Sequence, residues 1–148
     1  MHGGTAEEVA AKINDMKEKR ATTTNPPFQS FGMAAYVICR DTEEEAQAEL
    51  ARITAVKESD AYAGFKDFTS KSQLEQQIQL QDYSVSNRGL RPNLIGTPEQ
   101  IATRIQEFEK AGVDLLLLQF SPQLEEMERF AKKVMPLVKL KTEELAQS

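Results

Sequence analysis

Phe31-Gly32-Met33-Ala34-Ala35-Tyr36-Val37-Ile38-Cys39 holds no charge in nine residues and runs straight into Arg40-Asp41-Thr42-Glu43-Glu44-Glu45. An uncharged run of this length is a strand buried on both faces, as in a parallel sheet covered by helices. The acidic run after it opens a helix. Thr42 is placed to cap it and Glu45 to complete a capping box, while the glutamates of the first turn are solvated charges favoured by the positive helix end.

The pattern recurs towards the C-terminus. Thr97-Pro98-Glu99-Gln100 is a helix start with a cap, a proline at the first helical position and a glutamine to close the box. Ile101, Ile105 and Phe108 form its buried stripe, and Lys110 and Gly112 mark its stop. Asp114-Leu115-Leu116-Leu117-Leu118-Gln119-Phe120 then reads as a second fully buried strand. Ser121-Pro122 leads into a last helix with Leu124, Met127, Ala131, Val134 and Val138 on one face. From Lys139 the chain is a polar tail over 139–148.

Towards the N-terminus, Thr5-Ala6-Glu7-Glu8 is a further capping box, and Val9, Ile13 and Met16 follow at helical spacing. Two prolines and three threonines between Ala21 and Pro27 end that helix. Residues 56–93 are the irregular part, broken by Asp60, Gly64, Asp67 and Ser70, with one short helix expected around Leu74 and Ile78. An insertion of that length between core elements is often a functional lid.

The chain has 148 residues, 40% of them hydrophobic, which suits one folded domain, 1–148. Eighteen basic against 23 acidic residues give a net charge of −5, which argues against nucleic acid and anionic membrane as partners. The single cysteine, Cys39, cannot form an internal disulfide, and no apolar run approaches a membrane span. No signal peptide is evident after Met1, so a cytoplasmic chain is expected. One histidine and one cysteine make no metal site.

Buried strands alternating with amphipathic helices mean a parallel sheet, yet only two convincing strands are visible. Two parallel strands alone leave two open edges and would be marginal in water. The chain is therefore expected to be a partial domain. A helix cap four residues after Met1 also leaves no room for the strand that normally precedes such a helix.

A family resemblance accounts for this. Gly96-Thr97-Pro98-Glu99-Gln100-Ile101-Ala102-Thr103-Arg104-Ile105, then Ala111-Gly112-Val113-Asp114, then Leu124-Glu125-Glu126 and Val134-Met135-Pro136-Leu137-Val138, resemble the C-terminal signature of the bacterial luciferase-like flavin-dependent monooxygenases. His2-Gly3-Gly4-Thr5 and Arg40-Asp41-Thr42-Glu43-Glu44-Glu45-Ala46 match more loosely. Asn93-Leu94-Ile95-Gly96-Thr97 is similar to the dimethylsulfone branch more than to the alkanesulfonate branch. The resemblance implies an α/β fold, the C-terminal portion of a (β/α)8 TIM barrel. Residues 31–39 would be strand seven and 114–120 strand eight. A closed barrel needs all eight strands, about 250 residues.

The resemblance also implies the chemistry. Reduced FMN and O2 form a flavin peroxide that inserts one oxygen atom into an organosulfur substrate, while the protein positions the flavin and excludes water. Catalytic candidates are Tyr36, on the strand, and Arg88 and Arg91, where the family places a mobile basic lid. Tyr36 can equally be an interior aromatic, and the arginines solvated loop charges. Ala34 and Tyr36 stand where the alkanesulfonate enzymes resemble each other in carrying arginine and histidine, so a neutral sulfone fits better than a sulfonate. Gln119 and Ser121 are candidate substrate contacts. Gly3, Gly4 and Thr5 lead into a helix N-terminus that can bind an anion, although capping explains them without a ligand. Cys39 is a packed strand residue.

The implied partners are the missing N-terminal barrel portion and a flavin reductase, with a homo-oligomer open. The fragment alone is expected to be inactive and to bind FMN weakly. A different class of function fits the same residues: a non-catalytic truncated relative acting as an interaction or regulatory module. An independent small α/β binding domain would need a closed sheet.

Overall fold

The computed structural model describes residues 1, 3–55 and 89–138. The helix expected near Leu74 and Ile78, most of the 56–93 insertion including Arg88, and the tail 139–148 lie outside the described residues.

Helix α1, Ala6–Ala21, begins with a complete capping box between Thr5 and Glu8 and buries Val9 and Ile13. Strand β1, Gly32–Cys39, follows, then helix α2, Glu43–Thr54, on an N-cap at Thr42. Here only the forward half of the expected box is present, the Thr42 hydroxyl accepting from the Glu45 amide. Strand β2, Leu94–Gly96, runs into helix α3, Pro98–Lys110, whose Thr97–Gln100 box is complete. Gly112, at φ 101°, turns the chain out of α3, a conformation that an L side chain resists. Strand β3, Leu115–Gln119, helix α4, Gln123–Lys133, and a 3-10 turn, Met135–Leu137, complete the described chain.

The three strands form one parallel sheet in the order β2-β1-β3. β1 is the centre. Its residues Gly32 to Tyr36 stand beside Leu115 to Gln119 of β3, and Val37 to Cys39 beside Leu94 to Gly96 of β2. Side chains alternate between the faces of a strand. Met33, Ala35, Val37 and Cys39 join Val9, Ile13, Ile101, Phe108, Phe130 and Val134 in the main core. Leu116, Leu118 and Phe120 reach the same core from β3. A second, smaller cluster gathers Ile38, Ala46, Leu90 and Ile95, with Tyr36, Leu50 and Ile53 against it.

Three expectations are corrected. The run 114–120 is not a fully buried strand. Leu115 is 61% and Leu117 66% exposed, and Gln119 is exposed too, because β3 is the last strand of the sheet and only one of its faces meets helices. A third strand exists where two were expected. β2 is three residues long, too short for periodicity to register, and it forms because the end of β1 offers it a ladder.

The last helix also buries a different face. Phe130 and Val134 are inside, together with Glu126, whereas Leu124 is 72% exposed and Met127 and Ala131 lie outside. Two stripes compete on this helix, and the one containing a glutamate wins because Arg40 meets it.

Candidate functional site

The faces of β1 and β3 turned away from the main core define one surface. Gly32, Ala34 and Tyr36 lie on it beside Leu115, Leu117 and Gln119, each pair being register partners. Tyr36 and Gln119 are therefore register neighbours, Gln119 at the C-terminal end of β3 and Tyr36 within β1, three residues before its end; the C-terminal ends of strands are where barrels of this kind carry their active residues. Tyr36 is half-buried, packed beside Ile38, Leu90 and Ile95. Its backbone amide donates to Gly89 O at 2.8 Å. Ser121 lies two residues beyond the end of β3 and is exposed. The surface is apolar, with one phenol and one carboxamide at its rim and no charge among these six residues.

Arg91, Gly3, Gly4 and Thr5 come together on the other side of β1. Arg91 Nη2 lies 3.8 Å from Glu8 Oε2, and the same carboxylate oxygen accepts from the Thr5 amide at 3.0 Å. Gly3 and Gly4 are buried; a side chain at Gly3 would strike the Pro92 ring, and one at Gly4 would push aside the Glu8 carboxylate. A phosphate at this helix start would have to displace Glu8, which already holds the Thr5 amide and the nearest arginine. This turn therefore does not fit the phosphate of FMN as it stands.

The C-terminal end of β1 holds a charge cluster that spacing did not reveal. Arg40 Nη1 donates to Cys39 O at 2.7 Å and to Glu126 Oε2 at 2.8 Å, with Glu49 3.9 Å from its other terminal nitrogen. Arg129 lies 3.8 Å from Glu126, and Lys133 pairs with Asp41. The Lys133 hydrogen bond and charge hold the Asp41 carboxyl below its usual range. The Arg52 hydrogen bond does the same for Glu49 against partial desolvation. Burial pushes the Cys39 thiol up, although Arg129 and Lys133 oppose it, so the thiol is held neutral and unreactive. One signal could have exposed Glu126: it lies four residues before Phe130 and eight before Val134, on their helical face.

The fold and these motifs have known counterparts. The family model for luciferase-like monooxygenases matches residues 1–115.

The chain belongs to the luciferase-like monooxygenase family.

Two curated members illustrate the match. An "FMNH(2)-dependent dimethylsulfone monooxygenase" of Pseudomonas fluorescens (strain Pf0-1) is 37% identical over 93% of this chain and 40% of its own length. One of the same name from Pseudomonas putida is 38% identical over the same shares. The chain thus spans about two fifths of the length of these luciferase-like relatives. Among solved structures, a riboflavin lyase crystallised with modified FMN and riboflavin superposes with a TM-score of 0.63 at 18% identity, over 93% of this chain and 37% of that one. At that identity the likeness concerns the fold, which is α/β and corresponds to part of a luciferase-like barrel. No described helix is long and apolar enough to cross a membrane.

Proposed function

We propose that this chain supplies one wall of a reduced-FMN-dependent monooxygenase that inserts one oxygen atom from O2 into a neutral, sulfone-like organosulfur substrate. The observation that carries this is the 37–38% identity, over 93% of the chain, to two proteins named as dimethylsulfone monooxygenases. The Tyr36–Gln119 rim agrees with it. A phenol and a carboxamide offer hydrogen-bond donors to sulfone oxygens, whereas nothing on that surface offers the charge that a sulfonate would need.

Reduced FMN, when bound, supplies the oxygen-transfer chemistry. The part of this chain is to orient and to exclude water. Ala34, Leu115 and Leu117 make an apolar wall, and Tyr36 and Gln119 fix the polar end of the substrate. Arg91, and Arg88 with it, would close the insertion over the site, Arg91 leaving Glu8 to do so. The rest of the barrel would bring the phosphate site, and a separate reductase the reduced flavin. By itself the chain would bind FMN weakly and turn nothing over.

The test combines this chain with the preceding part of a dimethylsulfone monooxygenase, a flavin reductase, FMN and dimethylsulfone. Turnover is expected only when both parts are present, and Tyr36→Phe or Gln119→Ala should each lower it about tenfold, equivalent to ~1.4 kcal/mol of barrel-rim contact. Absence of turnover and flavin binding in a folded combination would overturn the proposal. Stoichiometric FMN binding by this chain alone, at low micromolar concentration, would overturn the shared site.

A further inference from the structure

β2 is three residues long, and a ladder of that length holds little by itself. Its residues are nonetheless buried, and the segment that enters it forms a tight arch. Gly89 O takes the Tyr36 amide at 2.8 Å, the Asn93 amide donates to Leu90 O at 2.9 Å, and Gly96 O takes the Arg40 amide at 3.0 Å. Asn93 stands at φ 56°, a left-handed conformation that L residues adopt reluctantly and asparagine better than most. Leu90 and Ile95 are buried with Ile38, and Tyr36 packs against them. The arch therefore supports Tyr36 twice, at its backbone amide and at its side chain. Carbonyls alternate in direction along a strand. Gly96 O faces β1, so those of Asn93 and Ile95 face the other way, where no strand pairs with β2 among the described residues. Arg104, on α3, supplies the donors they need. Its Nη1 donates to Asn93 O at 2.8 Å and also to Ile95 O. One planar nitrogen with two hydrogens spans both carbonyls, in a fixed fork that an ammonium group lacks.

We propose that Arg104 is a positioning residue: its guanidinium holds the arch 89–96 to α3, and the arch in turn sets the Tyr36 phenol at the rim. α3 is itself a firm anchor. Its Thr97–Gln100 box is complete, and Ile101, Ala102 and Phe108 are buried in the main core. Gln100 Nε2 also donates to Glu43 Oε2 of α2 at 3.1 Å, and Arg104 stands one turn beyond Gln100 on the same side of the helix. α2 meets the arch as well, since its Ala46 is buried with Leu90 and Ile95. Arg104 joins this frame to the arch where the chain re-enters the sheet. Its effect on Tyr36 passes through Ile95, Leu90 and Gly89. The part given to Tyr36 rests on the proposed function, whereas the hold of Arg104 on the arch does not.

Amide exchange in the purified chain reads the anchor directly. Arg104→Met keeps the apolar stem of the side chain and removes its donors. The amides of Tyr36, Asn93 and Arg40 should then exchange about tenfold faster, as for the loss of hydrogen bonds from a charged group. Those of Ile101, bonded to Thr97 O, and Asp114, bonded to Phe31 O, should not change. Arg104→Lys should recover part of the protection. Equal acceleration at Asp114 would make Arg104 a source of general stability and overturn the positioning role, as would native exchange in Arg104→Met. The second readout is turnover in the combination of this chain with the preceding part of a dimethylsulfone monooxygenase. Arg104→Met should lower kcat/KM for dimethylsulfone about tenfold, mainly through KM. Adding Tyr36→Phe to it should cost little more, because the two act through one contact. Additive losses would overturn the path through Tyr36. An inactive native combination would count against the proposed function, and the exchange rates would still decide whether Arg104 holds the arch.

Discussion

β1 and β3 are alike in sequence and opposite in surroundings. Both are uncharged apart from their flanks, both are parallel, and they lie side by side over five register positions. Yet β1 is buried through Met33, Ala35, Val37, Ile38 and Cys39, whereas β3 shows Leu115, Leu117 and Gln119 to solvent. Burial of a strand is set by how many neighbours it has, and hydrophobicity states only how many it needs. The difference lies in the number of strands and helices packed beside each, not in the composition of the two runs.

The largest expected effect separates the two strands directly. Met33→Ala removes a side chain that is 1% exposed and should lower stability by about 3 kcal/mol, within the range for buried truncations. Leu117→Ala, on a side chain already in water, should change it by less than ~0.5 kcal/mol. Urea midpoints of the two variants against the native chain decide this. Similar costs for both would mean that β3 is covered even in the single chain, and the contrast would collapse.

A smaller effect concerns the clamp that holds α4 to the end of β1. Glu126→Ala leaves Arg40 half-buried without its carboxylate and should cost about 2 kcal/mol, as for a hydrogen bond to a charged group lost with its partner stranded. Glu126→Gln should recover part of that, since the amide still accepts from Arg40. The comparison sharpens if hydrogen exchange rises in α4 and at the end of β1 and stays unchanged at the start of β3. Equal losses in Glu126→Gln and Glu126→Ala would show that charge, not the contact, carries the clamp.

The smallest effect tests the turn that packs beside β1, for which β3 has no counterpart among the described residues. Gly89 sits at φ 70° with no room for a Cβ, which would come within 3.1–3.2 Å of the β1 backbone, and from there it closes the amide of Tyr36. Gly89→Ala should cost about 1 kcal/mol in left-handed strain alone and loosen the hydrogen bond to the Tyr36 amide. Faster exchange of the Tyr36 amide is the check, with the β3 amides as internal control. An unchanged Tyr36 amide would mean that its protection does not depend on this turn.

The helix starts were legible because capping is local. Thr5 with Glu8 and Thr97 with Gln100 form both halves of their boxes, and every group involved lies within four residues. The stripes Val9 with Ile13 and Ile101 with Phe108 were legible for the same reason: each has one apolar face and no competitor. The register that sets Tyr36 beside Gln119 was not, because it joins residues far apart in the chain, and nothing local encodes it. Glu126 was misplaced since a glutamate's burial depends on a partner, here Arg40, 86 residues away in sequence. β2 was missed because three residues make a strand only when a neighbour supplies the ladder.

By itself the sequence determined the helices, the two longer strands, their parallel arrangement and the family, since periodicity, caps and motif spacing are properties of short segments. Tertiary structure alone decided which face of α4 is inside, where the short strand β2 forms and which leucines stay in water. Those outcomes depend on long-range pairing and on how much protein is present to cover a surface, and a hydrophobic side chain carries no record of either.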